Sequence, residues 1–196
     1  MENTQKNIGD PAPAMTWIFT LITMLFWGWF AGIYDGGLEL PVGIVQLACF
    51  PGYLVGAIIF FQKGESLNGV VFMLFATLFG GIGGGLNLVA HFNNVYDWGL
   101  SSAVSGIPFI WGGVAMVALC YILRKIPILT LAVYAVVAIF LIIYGLITLG
   151  VMPPFWLVPC KWMALFIAIG GLWGAMDGML KAGGEKGLPC GPSLFK

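Results

Sequence analysis

Apolar runs of about 20 residues recur along the chain, parted by short polar or turn-forming breaks. They fall at residues 14–34, 41–61, 67–89, 103–123, 127–149 and 159–180. That length is what a helix needs to cross roughly 30 Å of hydrocarbon. Lipid offers the backbone no water, so each run must satisfy its own N–H and C=O groups as a helix. The alternation of a barrel strand is absent. The breaks at 35–37, 62–65, 91–102, 124–126 and 150–154 are too short to fold alone. The pattern predicts an all-α integral membrane protein, a six-transmembrane-helix bundle over residues 14–182. A segment 1–13 precedes it and a tail 183–196 follows.

Charge gives the bundle a direction. Lys6, Lys63, Arg124, Lys125, Lys181, Lys186 and Lys196 fall on one side of a six-span topology. Lys161 falls on the other, with Asp35, Glu39, His91 and Asp97. Lysine and arginine are retained in the cytoplasm, so both flanking segments are expected there. One span more or fewer would scatter these charges. The expected location is the cell (inner) membrane, multi-pass, with lipid as surroundings. Composition agrees: 8% of residues are charged, against about 25% in soluble domains. A formal net charge of zero argues against nucleic-acid partners, which demand a basic face. The start, 1–10, has no apolar core, so the first run is expected to direct insertion.

Glycine is frequent and often spaced by four, as in Gly28/Gly32, Gly52/Gly56 and Gly170/Gly174/Gly178. Such stripes let helix backbones approach closely in lipid. The run Gly80-Gly81-Ile82-Gly83-Gly84-Gly85 also permits a second reading, a pore wall of exposed backbone. Pro51 and Pro108 lie within the second and fourth runs and predict a kink or a broken helix there.

The runs hold almost no ionisable groups. No nucleophile–base pair, haem ligand pair or cysteine metal spacing can be assembled, so neither enzyme activity nor a cofactor is expected. Thr16, Thr20 and Thr23 share one face of the first helix. They bond back to their own helix, or else offer hydroxyls to a solute. The expected pathway is narrow, apolar and uncharged.

Several short matches then occur in order. Asp10-Pro11-Ala12-Pro13-Ala14-Met15-Thr16 precedes the first helix, and Lys63-Gly64 follows the second. Trp111-Gly112 lies in the fourth, and Ala175-Met176-Asp177-Gly178-Met179-Leu180 closes the sixth. Together these resemble the acetate uptake transporter family, the succinate–acetate permeases. That family's signature is Asn-Pro-Ala-Pro-Leu-Gly-Leu before its first helix; here Pro-Ala-Pro is kept, Asn is replaced by Asp10, and Leu-Gly-Leu is not kept. The likeness covers residues 10 to about 182.

The resemblance implies passage of small carboxylates such as acetate or succinate through each protomer of a homo-hexamer. It implies substrate handling at Asp10, Pro11, Ala12 and Pro13, and a constriction at Phe19, Phe75 and Val136. Where the family commonly has Tyr, this chain has Phe75. The lack of a buried cation keeps open a channel for a neutral solute (urea, an amide, ammonia), and the glycine stripes keep open a non-transporting membrane subunit. Asp10, His91 and Asp177 are the candidates for proton coupling, and Asp10→Asn is expected to shift the pH dependence of flux.

Overall fold

A computed structural model describes residues 9–34 and 37–195. Lys6, Asp35 and Lys196, three of the charges that set the topology, lie outside them, as does Gly36 of the first break. Among the described residues, six helices are long and apolar enough to cross a membrane. The chain is a multi-pass, all-α membrane protein.

The first two spans are α1 (Ala12–Phe30) and α2 (Glu39–Gln62). The third is composite: α3 (Ser66–Leu74), a π-helical stretch (Phe75–Ile82) and α4 (Gly83–Tyr96). A 3-10 turn (Ser102–Ser105) leads into α5 (Gly106–Ile122), followed by α6 (Ile128–Thr148) and α7 (Leu157–Ala182).

Two boundaries depart from the pattern. The third span continues past residue 89 to Tyr96, because His91, Asn93 and Asn94 end the apolar run without breaking the helix. Asp97, with φ 51°, stops it. The first helix ends at Phe30 rather than 34: Gly32 adopts φ 68°, and the Ile33 N–H donates back to Gly28 O at 3.0 Å. That is the left-handed close glycine favours.

Three helix pairs build the bundle: α1 lies along α7, α5 along α6, and α2 along the third span. Glycine makes them tight. Gly145 O lies 2.5 Å from where a Cβ on Gly106 would sit, so α5 and α6 touch through backbone. Pro51 sits inside an unbroken α2. Pro108 occupies the first turn of α5, where a missing N–H costs no helical bond.

Lys63, Arg124, Lys125, Lys181 and Lys186 gather at one end of the bundle, where α2 and α7 finish and α6 begins. In the turn there, the Asn68 amide and then the Lys63 ammonium hold the Glu65 carboxyl below its ordinary range. The tail lies across this basic end. Ile128 N–H donates to Pro192 O at 3.0 Å and Leu129 N–H to Cys190 O at 3.2 Å. These are first-turn donors of α6 that no intrahelical carbonyl can satisfy. The Trp173 indole N–H bonds Pro189 O at 3.1 Å. Partial burial pushes the Cys190 thiol up.

Candidate solute pathway

At the end remote from the basic residues, the spans part around a cavity of about 360 Å³. The polar extension of α4 supplies one wall, through Asn87, Asn93 and Asn94. Ser101, Ser102 and Ser105 close the rim, and Trp29, Tyr144 and Thr148 complete the sides. Glu39, in the first turn of α2, is the charged residue of this vestibule.

Below it the space narrows to about 20 Å³, little more than the ~10–15 Å³ that one water requires. Every span sends a side chain to this throat: Phe19 from α1, Tyr53 from α2, Phe79 from the third span, Phe109 from α5, Val137 from α6 and Ile167 from α7. Phe26, Phe79, Phe109 and Leu141 border both spaces, so vestibule and throat adjoin. From Phe26 to Phe19 is seven residues, about 10 Å of helix. The wall of the throat is apolar throughout. Toward the basic end the rings of Phe19 and Phe75 stack at 5.4 Å. Tyr53 and Phe79 lean on Phe75 at 6.0 and 5.3 Å, and Phe72 and Met15 are buried among the same group.

The throat depends on a buried polar node. A π-helical stretch strands backbone carbonyls that the α register would pair, and such stretches recur at functional sites. Here Gln46 of α2, fully buried, donates its amide to Phe79 O at 2.9 Å. Its other end accepts the Asn87 amide at 2.6 Å. One side chain therefore links a throat aromatic to a vestibule asparagine. Gly83 makes this possible, because a Cβ there would lie 2.7 Å from the Gln46 amide nitrogen. Most of the glycine run thus serves close packing: Gly80 faces Phe50, and Gly84 faces Leu47 and the Gly43 carbonyl. Gly83 alone of the six residues from 80 to 85 also borders the vestibule.

The expected site residues separate into groups. Phe19 and Phe75 come together as an aromatic closure, with Phe75 supporting the throat from beneath. Thr23 borders the throat, but its hydroxyl donates to its own helix at Phe19 O, 3.0 Å. Thr16 and Thr20 likewise bond Ala12 O and Trp17 O, both at 2.8 Å, and neither borders the throat. Of the two readings open to these hydroxyls they take the first, bonding back to their own helix, because lipid-embedded threonines find their nearest acceptors one turn back. Val136 stands beside the pathway and Val137 faces it, a shift of one residue that turns a helix by about 100°.

Asp10, Pro11, Ala12 and Pro13 sit at the start of α1, away from both spaces. Asp10 is exposed and accepts the Ala12 N–H at 2.9 Å, while Pro13 packs onto Gly178 of α7. Their geometry is that of a helix start docked on a neighbour. Asp177 lies at the basic end, its Oδ2 bonded to Lys181 at 2.7 Å, with Gly187 of the tail against its Oδ1. His91 packs edge-on against Phe92.

The pattern of the sequence did not single out Glu39, Phe109, Val137 or Ile167 as pathway residues. Among the described residues, no group of three or more His, Cys, Asp or Glu could hold a metal ion. Neither a family model nor a curated protein matches this chain.

Proposed function

We propose that this protein is a channel or permease that passes small carboxylates of the acetate and succinate kind through each protomer. The observation that carries the reading is the adjoining pair of spaces, a vestibule of about 360 Å³ that meets a throat to which all six spans contribute. Packing alone gives no reason for a cavity walled partly by Glu39, asparagines and serines to taper onto a stacked aromatic closure. The ordered matches to the succinate–acetate permeases support the substrate class, and a homo-hexamer is proposed on the same ground.

The throat limits what crosses. Moving a bare carboxylate from water into an apolar medium costs about 20 kcal/mol in the idealised limit and several kcal/mol after relaxation. Protonating an ordinary carboxylic acid at pH 7 costs about 3.7 kcal/mol, from a pKa of about 4.3 at 1.36 kcal/mol per unit. A second reading, a channel for uncharged solutes such as urea or acetamide, is favoured by the same apolar wall.

Uptake into proteoliposomes, corrected for protein-free vesicles, tests both. Acetate entry should saturate and should fall at least tenfold when Phe19→Trp fills the throat. Acetate at the background rate with urea crossing freely would replace the first reading by the second. A stable protein carrying no flux of any solute would leave a non-transporting subunit.

A further inference from the structure

We propose that Glu39 makes the vestibule a charge filter, so that acids pass only undissociated and the true substrates are small weak acids and their uncharged isosteres. The inference rests on the carboxylate reading above and narrows it. Glu39 is half-buried in the first turn of α2 and borders the vestibule. The residues that share the vestibule lining with it are neutral, among them Trp29 from α1, Asn87 and Asn93 from α4, and Thr148 and the titratable Tyr144 from α6. The nearest base in sequence to this end, Lys161 of α7, lies over the Trp162 ring at 5.2 Å and does not border the cavity. His91 and Asp97 stand on or just beyond α4, also outside the lining.

A solute carboxylate entering this space meets one like charge and no cation among the described residues. At about 6 Å and an effective dielectric of 20, two like charges disfavour occupancy by roughly a hundredfold, and by less where water screens them. The neutral acid suffers no such penalty. It can give its O–H to the Glu39 carboxylate and take a hydrogen bond from an asparagine amide, then enter the apolar throat without shedding an ion's hydration. The two spaces therefore select in the same direction: the first repels the anion, and the second refuses to solvate it.

The test uses purified protein in liposomes with three labelled probes: acetate, acetamide and trifluoroacetate, the last ionised at every pH used. Between about pH 7.5 and 5.5, acetate entry should rise roughly tenfold per unit, following the undissociated fraction. Acetamide entry should be fast and flat with pH, and trifluoroacetate should stay at background. In Glu39→Gln, trifluoroacetate should inhibit acetamide entry at concentrations at least tenfold lower than in the wild type. Trifluoroacetate crossing as fast as acetate, or acetate entry independent of pH, would overturn the filter while leaving the carboxylate reading intact. Entry of neither acetate nor acetamide would overturn both. The wild-type probes decide whether anions pass at all; if Glu39→Gln misfolds, Glu39→Asp, which keeps the charge, and Glu39→Ala, which removes it, decide the part played by Glu39, and equal inhibition by trifluoroacetate in both would overturn the filter.

Discussion

Replacing Gln46 by Leu tests whether the throat is held by its polar node or only by packing. Leucine is of similar bulk, so the substitution removes the amide without opening a large cavity. Two hydrogen bonds go, to Phe79 O at 2.9 Å and from Asn87 at 2.6 Å. Interhelical hydrogen bonds in membranes contribute about 0.6 kcal/mol on average and up to about 1.7. The Phe79 carbonyl is additionally left in a π-helical stretch without this donor, and a buried unsatisfied group costs about 1–3 kcal/mol. The expected loss is about 1–3 kcal/mol, a fall of roughly 3–10 °C in melting midpoint for a chain of this size. Tryptophan fluorescence melts in one detergent, at fixed protein and lipid concentration, measure it. Adding Asn87→Ala closes a double-mutant cycle, and a coupling of about 0.6–1.7 kcal/mol is expected between the two residues. Because Phe79 borders the throat, Gln46→Leu should also change the maximal rate of acetate entry more than its half-saturation concentration. A variant melting within about 1 °C of the wild type, with purely additive effects in the cycle, would refute the node.

Further outcomes follow from neighbouring geometry. Gly83→Ala should destabilise by about 1 kcal/mol in the wild type, because the overpacking cost against Gln46 exceeds the gain in helix propensity. The cost should shrink in a Gln46→Leu background, where the amide is gone and the Leu78 carbonyl at 3.2 Å remains the closest contact, and the same melts read it. Gly85→Ala, with open space around it, should stabilise by about 0.5–1 kcal/mol. Asp10→Asn keeps the acceptor for the Ala12 N–H, so stability and the pH profile of flux should both stay at wild-type values; Asp10→Ala should cost about 0.5–2 kcal/mol. A displaced pH profile in the asparagine variant would restore Asp10 to the pathway. Removing residues 187–196 strips the carbonyls that receive Ile128, Leu129 and Trp173. The expected loss is about 2–4 kcal/mol, checked by thermal melts, and an unchanged midpoint would show that water serves those donors equally well.

The spans were legible in the sequence because lipid leaves a chain of this composition no alternative to apolar helices. The same uniformity hid which face of each helix turns inward. Soluble helices mark their inner face with an apolar stripe, whereas here Val136 and Val137 are both apolar and only packing decides between them. Phe109 and Ile167 carry no local signal for the same reason. Phe19 and Phe75 were legible through family resemblance, and they do stack. Glu39 was visible as a charge near a span end, but its place at the vestibule depends on α4 projecting beyond the hydrocarbon on polar residues that read as a loop. The π-helical stretch carries no local signal in the sequence, and the residue that bonds one of its carbonyls, Gln46, lies on another helix.

A bore that takes one side chain from every span has a consequence for how the protein is made. During synthesis Ile167 arrives last, on α7, which must come to rest beside α1. Until it does, the small cavity lacks the wall that Ile167 supplies, so a chain truncated before α7 should carry no solute flux in liposomes if the proposed pathway is right.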